Sequence, residues 1–261
     1  MERLLVVSRK SLISMIKSGK DVSQSFLAEL SYTIENTQEE YIPSKTIKPS
    51  SLFCPRQSVF QIIGAEMDDE QKNEQSIGIC ELGSATHLFI QNTILKSRNI
   101  EYLNVSDYIK ENNIDLEVTK ESDFENGEPE TKVYSKKFNI SCLCDGIVKF
   151  KNKLFILEIK TISSGQFFKL DGVLDKHKQQ AISYSTLFDI SDVLFLYISR
   201  DFFQMKSFIY TPTNKERLDW QQNLEYILSC VKNGEIPPIP KEKSGKFCNY
   251  CRYKNYCEVV S

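Results

Sequence analysis

Two apolar, β-compatible runs, Cys142 to Phe150 and Leu154 to Thr161, are separated only by Lys151-Asn152-Lys153. A break that short leaves a hairpin as the economical fold for the pair. Period-two alternation then puts Glu158 and Lys160 on one face and Leu157 and Ile159 on the other. With Lys151-Asn152 as a two-residue turn, the register sets Asp145 directly opposite Glu158, with β-carbons about 4.5 to 5.5 Å apart. Like charges at that spacing destabilise a sheet unless a cation sits between them, and hard oxygen ligands of this kind suit Mg²⁺ or Mn²⁺. The competing reading is that both are exposed strand residues, and a Glu-x-Lys tripeptide alone says little. Against it, Glu158 and Lys160 interrupt the apolar run from Leu154 to Ile159, where unpaired charge is costly.

The rest of the chain frames this hairpin. Apolar spacing over Leu12, Ile13, Ile16, Phe26, Leu27 and Leu30 predicts one or two amphipathic helices between Ser11 and about Glu35. A loop with Pro43 and Pro49 leads to Cys54-Pro55-Arg56 and a short helix through Ile63. Residues 77 to 97 predict a helix with Leu82, Ala85, Phe89 and Ile90 on one buried face and His87 inside it. Strands are expected from Lys132, at Val193 to Ser199 and at Lys206 to Tyr210. A helix is expected from Asp171 to Phe188, and the Thr213 to Glu216 capping box opens another to about Val231. Strands in the middle and helices at both ends predict an α/β or α+β fold around a mixed sheet.

The 261 residues are 41% apolar and 26% charged, which excludes a disordered, collagen-like or coiled-coil chain. With 33 basic and 35 acidic residues the net charge is −2, so any nucleic-acid surface must be local. Lys149, Lys151, Lys153, Lys169, Lys176, Lys178, Arg200 and Lys206 gather in sequence around the hairpin, although a basic run is usually a solvated face. The apolar run Leu4 to Val7, flanked by Arg3 and Arg9, is too short for a signal-peptide core or a membrane span, so no membrane partner and a cytoplasmic location (a host's, for a virus) are expected. In that reducing setting the eight cysteines are read for metal rather than disulfides. Cys80, Cys142, Cys144 and Cys230 sit among apolar neighbours as core residues would. Cys54, Cys248, Cys251 and Cys257 do not, and four thiolates can hold tetrahedral zinc or an iron-sulfur cluster, which spacing alone does not distinguish.

Asp145, followed by Glu158-Ile159-Lys160, resembles the core of the PD-(D/E)xK nuclease superfamily, and the flanking motifs narrow the resemblance to its RecB-like exonucleases. Gly83-Ser84-Ala85-Thr86-His87 is similar to that group's G-x-x-x-H segment, and Gln180-Ala181-Ile182-Ser183-Tyr184, preceded by His177, to its Q-x-x-x-Y motif. The usual proline of the first motif is not adjacent to Asp145, which is followed by Gly146. One cysteine before this core and three after it resemble the iron-sulfur staple of AddB-type helicase-nucleases and of CRISPR-associated exonucleases of the Cas-four type.

The resemblance implies a restriction-endonuclease-like mixed central sheet flanked by helices, with a cysteine-ligated cluster joining the two ends of residues 51–261 and a helical segment and linker at 1–50. It implies a metal-dependent DNA exonuclease acting on single strands or ends. His87, Asp145, Glu158 and the Ile159 carbonyl would hold Mg²⁺ or Mn²⁺, Asp145, Glu158 and Lys160 would carry the chemistry, and His177, Gln180 and Tyr184 would contact DNA or orient the lysine. Cys54, Cys248, Cys251 and Cys257 would hold a [4Fe-4S] cluster, with zinc as the alternative. No G-x-x-x-x-G-K-[ST] motif is visible, so unwinding would come from a helicase, recombination or CRISPR partner. A structure-specific or partner-dependent endonuclease, or a non-catalytic DNA-binding scaffold, are the competing functions.

Overall fold

Phe150 pairs with Lys153 across a two-residue turn in which Lys151 and Asn152 both take left-handed backbone, at φ +50° and +60°. That is the primed turn whose twist matches the strands it joins. In the computed structural model, which describes residues 22–37, 44–68, 73–240, 248 and 251–260, this hairpin lies inside a five-stranded mixed sheet. The strands β1 (Glu101–Leu103), β5 (Gly146–Phe150), β6 (Lys153–Ile162), β7 (Val193–Ser199) and β8 (Met205–Tyr210) follow one another in that order across it. Only β6 and β7 run parallel, and the crossover between them carries α5 (Ser164–Phe168) and α6 (Asp175–Leu187). A second, three-stranded antiparallel sheet holds β2 (Glu117–Lys120), β3 (Thr131–Ser135) and β4 (Ile140–Cys144).

The alternation along β6 divides the interior in two. Ile156 and Ile162 join the large core with Phe195, Tyr197, Ala181 and Tyr184 on the α6 side, backed by α7 (Asn214–Asn233). Leu157 and Ile159 join a smaller core with Ile90 of α3 (Glu74–Leu95) on the opposite face. Trp220 Nε1 donates to Ser183 Oγ at 2.7 Å, fastening α7 to α6 where both are buried. The Thr213 capping box forms as expected and α7 ends at Gly234 in left-handed backbone.

By its contacts the chain divides into residues Met1–Ile42 with Glu70–Leu82, and residues Pro43–Asp69 with Gly83–Ser261. In the first unit, α1 (Val22–Asn36) has no buried residue, and Glu35 accepts the Glu74 amide at 3.1 Å. In the second, α2 (Pro55–Ile63) lies against the C-terminal helix α8 (Lys254–Val259). Phe60 meets the rings of Tyr253 and Tyr256, and the Arg56 guanidinium donates to the carbonyls of Pro237, Cys257 and Val260 at 3.0 to 3.2 Å. A short helix, α4 (Val105–Glu111), completes the set.

Several expectations shift. Helix α6 begins at Asp175 rather than Asp171. Strands β1 and β2 and helix α4 are too short to show a period. Leu82 and Phe89 are exposed while Ile90 is buried, because the inward face of α3 is set by His87, Ile90 and Gln91 rather than by its largest apolar residues. Cys142, Cys144 and Cys230 are buried as expected, but Cys80 is exposed. The helix expected over residues 11–20, with Leu12, Ile13 and Ile16, and the positions of Pro43 and Tyr250 lie outside the described residues. Among the described residues no helix is long and apolar enough to cross a membrane.

Gly146 links the two sheets, at φ +154° with the Tyr102 ring so close that an added Cβ would lie 2.5 Å from it. Tyr102 cannot swing clear without releasing the Asp145 carbonyl, to which its hydroxyl donates at 3.2 Å. Gly146→Ala should therefore lower the melting temperature by several degrees, through steric conflict and a backbone that L-residues avoid. A melting curve superimposable on the wild type would refute the assigned constraint.

Candidate metal centre

Strand β5 begins at Gly146, so β6 beyond Leu157 loses its partner on that side. The amide of Ile156 and the carbonyl of Ile162 are bonded on the β7 side, so alternation turns the amide and carbonyl of Ile159 toward the vacated edge. Asp145 takes up that amide, with its Oδ2 accepting from Ile159 N at 2.6 Å. One step beyond the last pair, Gly146 with Leu157, the same register sets Asp145 across from Glu158.

The second sheet adds an acidic residue by the same logic. Thr131 pairs with Cys144, so one further step along the β3–β4 ladder sets Glu130 beside Asp145. Asp145 is thus the pivot between two hairpins, flanked by a glutamate from each. Helix α3 closes the group from above, with His87 Nδ1 3.3 Å from Asp145 Oδ1 and 3.5 Å from Glu130 Oε1. Ligand atoms of His87, Glu130 and Asp145 lie within 4.8 Å of one another. One turn further on, buried Gln91 donates through Nε2 to the carbonyls of Pro129 at 3.1 Å and Asp145 at 2.5 Å. That amide holds the backbones of both acidic residues to α3. A small cavity of about 190 Å³, lined by Ser84, His87, Gly127 and Glu130 among others, opens beside the group.

Charge here is held at high cost. Asp145 and Glu158 are 3% and 2% exposed. Burial pushes Glu158 up to about 7; the Lys160 ammonium, 2.5 Å from Oε1, opposes this and the Asp145 charge adds to it. Its other oxygen, Oε2, is buried and has no hydrogen-bond partner among the described residues. Burial also acts to raise Asp145, but the His87 hydrogen bond and charge, the Lys160 charge and the Ile159 amide hold it below the usual carboxylate range. For His87, burial favours the neutral ring, yet Asp145 and Glu130 outweigh it and raise the imidazole to about 10. Lys160 is likewise raised, the two carboxylates overcoming its desolvation.

The α6 stripe lies beneath. His177 Nδ1 is 2.8 Å from the hydroxyl of Tyr197, which stands beside Lys160 in the β6–β7 register, and burial and the Lys160 charge keep His177 neutral, down to about 3. Gln180 donates to the Tyr184 hydroxyl at 2.9 Å, and Tyr184 donates to the Leu143 carbonyl at 2.7 Å. Tyr184, expected to contact DNA or to orient the lysine, is buried; its ring sits in the core and its hydroxyl braces the strand that leads to Asp145.

The cysteines lie elsewhere in the second unit. The Cys54 thiol, at the N-terminus of α2, is raised by burial, with the Gln57 and Arg56 amides opposing and the Cys248 and Cys257 sulfurs adding to the rise. Cys251 is raised by burial and by Cys54, Cys248 and Cys257. Cys54 and Cys251 each therefore lie within electrostatic reach of Cys248 and Cys257.

Glu130, Gln91 and Tyr197 were not read from the sequence. The signal for Glu130 was present: residues 131–135 and 140–144 alternate around a tight turn, and their register alone leads to it. Gln91 and Tyr197 have no comparable signature, because each acts through a contact between distant segments.

No family model and no curated protein matches the chain. Among solved structures it is similar to SSO0001, at 21% identity and a TM-score of 0.46 over 90% of this chain and 96% of that one. It is also similar to LHK-Exo, an alkaline exonuclease from Laribacter hongkongensis, at 10% identity and a TM-score of 0.44 over 74% of this chain and 90% of that one. The same exonuclease in complex with dAMP gives 11% identity and a TM-score of 0.45 over 73% and 89%. Likeness at this level gives no residue correspondence, so the role of each side chain rests on the chain's own geometry.

A raised carboxyl pKa means that the folded chain binds the proton more tightly than the unfolded one. Without metal, Glu158 therefore makes stability fall as pH rises from about 4.5 to about 7, after which the loss is complete. Glu158→Gln should flatten this part of the stability profile in EDTA, measured as urea midpoints from pH 5 to 8. An unchanged slope would show that Glu158 ionises without penalty.

Proposed function

We propose that the protein is a metal-dependent nuclease that hydrolyses DNA phosphodiesters, acting as an exonuclease on single strands or DNA ends. The observation that carries the reading is the opposition of Asp145 and Glu158 at the end of a ladder, with Lys160 next on the same face. Two buried carboxylates at that spacing, one with an oxygen left unpartnered among the described residues, form a site in need of a cation. The donor set of imidazole, carboxylates and a backbone carbonyl fits Mg²⁺ or Mn²⁺. His87, Asp145, Glu158 and the Ile159 carbonyl would hold the ion, and Glu130 is positioned to join them or to bind through water.

A divalent ion there would lower the pKa of a bound water and neutralise charge on the phosphoryl oxygens. The chain's own groups do the rest. Lys160, tethered to Glu158 and partly open to solvent, offers an ammonium donor to the attacked phosphate or to the incoming water. Gln91 and the Ile159 amide hold the Asp145 backbone and carboxylate, so the acidic group is arranged before substrate arrives. Tyr197, His177, Gln180 and Tyr184 brace Lys160 and the β4 strand from below. His177 and Gln180, half-buried on the same stripe, would meet DNA only at its edge.

In this reading residues 51–261 form the nuclease body, and Cys54, Cys248, Cys251 and Cys257 hold a [4Fe-4S] cluster. The closeness of Cys54 and Cys251 to Cys248 and Cys257 supports a shared ligand, and the Arg56 and Phe60 contacts to the tail already hold the two ends together. A cluster would close that loop covalently, acting as a clamp on the fold. Purified protein should be brown with iron and sulfide matching one cluster; a colourless, zinc-loaded protein would replace the cluster by zinc.

Labelled single- and double-stranded DNA should be degraded with Mg²⁺ or Mn²⁺ and left intact in EDTA. Lys160→Ala should keep the fold and lose about 10² to 10³ in rate. DNA binding with no metal-dependent degradation would reject the nuclease in favour of a scaffold. Because metal-free Glu158 and His87 are raised to about 7 and about 10, Mn²⁺ binding should release protons at pH 6.5, seen as heats that vary with buffer ionisation enthalpy. Heats independent of buffer would remove these two groups from the ligand set.

A further inference from the structure

Four phenylalanines that the metal centre does not use form an exposed row. Phe89, Phe168, Phe202 and Phe203 are 46 to 63% exposed. Phe89 meets Phe203 edge to face at 5.5 Å, and Phe202 meets Phe168 at 6.3 Å. Phe202 and Phe203 are chain neighbours, so the rings run continuously from α3 through the β7–β8 turn to α5.

Each element that builds the centre also carries, or leads into, one of these rings further along the chain. Helix α3 carries His87 and, two residues on, Phe89. Strand β6 carries Lys160 and leads at Ile162 into α5 and Phe168. Strand β7 carries Tyr197, then Arg200, Phe202 and Phe203. The Arg200 amide donates to the Ile162 carbonyl at 3.0 Å, and the Asp201 carboxylate accepts the Ser164 amide at 2.9 Å, which ties the turn to the start of α5. Lys206 Nζ donates to the carbonyls of Phe167 and Leu170 at 2.9 and 2.8 Å and fixes the end of that helix. The rings are thus presented on a braced surface rather than on loose loops.

Solvation gives no reason for this arrangement. Exposed phenylalanines are disfavoured in water, and Phe203 holds left-handed backbone at φ +54°, uncommon for a bulky residue. The turn bears this strain while displaying its ring. Arg200 and Lys169 lie close in the chain to Phe202 and Phe168, which suits an occupant with apolar faces and a polyanionic backbone.

We infer that the row of Phe89, Phe168, Phe202 and Phe203 is a stacking platform for the unpaired bases of single-stranded DNA. This rests on the nuclease reading for its choice of DNA. Unpaired bases expose π-faces to a row of rings, whereas paired bases in a duplex do not, so the platform favours frayed ends and single strands. Arg200 and Lys169 would meet the phosphates.

The test is anisotropy of a labelled oligothymidylate of about 15 nucleotides, a length that spans a typical single-strand site, with EDTA present so that binding is read without cleavage. Phe202→Ala with Phe203→Ala should weaken binding at least about five-fold, while tyrosine at both positions restores it. Phe202→Ala alone, at an exposed site with no backbone strain, should give part of the loss and guards against misfolding of the pair. Affinity for a blunt duplex should change by less than about two-fold. Unchanged oligonucleotide affinity, or equal losses on duplex and single strand, would overturn the platform. So would a change from dimer to monomer in sedimentation with DNA binding intact, which would make the row a face for a second copy. Ring-dependent binding by a protein that cleaves no DNA would leave the platform standing and remove the nuclease; metal-dependent cleavage indifferent to the rings would do the reverse.

Discussion

The hydrogen bond from the Ile159 amide to the Asp145 carboxylate stands where a β-ladder stops. Had the β5–β6 ladder run on to Cys144, a backbone carbonyl would have taken that amide. Instead the chain leaves the three-stranded sheet at Cys144, enters the five-stranded sheet at Gly146, and places a carboxylate at the seam. The whole centre is built around that seam. Both hairpins deliver a glutamate to it, α3 caps it with His87 and Gln91, and Gly146 makes the kink possible.

Acidic side chains brought together this way repel one another, and burial magnifies the repulsion because little water screens it. The protein distributes the problem rather than removing it. Asp145 is held ionised by His87 and by the Ile159 amide, and Glu158 shares one oxygen with Lys160 and leaves the other without a hydrogen-bond partner among the described residues. Gln91, Tyr102 and the side chains of α6 hold the backbone around these groups in place. Preorganisation of this kind favours binding and charge stabilisation alike.

The second unit is also tied at its ends. Arg56 and Phe60 on α2 grip the tail around α8, and the Asp68 carboxylate accepts the Asn255 amide at 3.1 Å. These contacts hold segments nearly two hundred residues apart, and they gather the cysteines of both ends into one region. The sheet edge that carries the candidate metal centre and the contacts that hold α2 to the tail are therefore separate parts of the second unit.

The hairpin, its turn, its register and the shared face of Glu158 and Lys160 were legible in the sequence, because strand alternation and a two-residue turn are local and leave no freedom once the pairing is chosen. The capping box of α7 and the helical character of α2, α3 and α6 were legible for the same reason. What lay beyond local reading was decided by contacts between distant segments. The place of Glu130 depends on a second hairpin meeting the first at Asp145, and the bridging role of Gln91 on where α3 lands. The burial of Tyr184 and the exposure of Phe89 depend on which side of each helix finds the sheet. Periodicity reports that a helix has faces; only packing decides which face is inside, because the free energy that chooses between them resides in the partner surface and not in the helix itself.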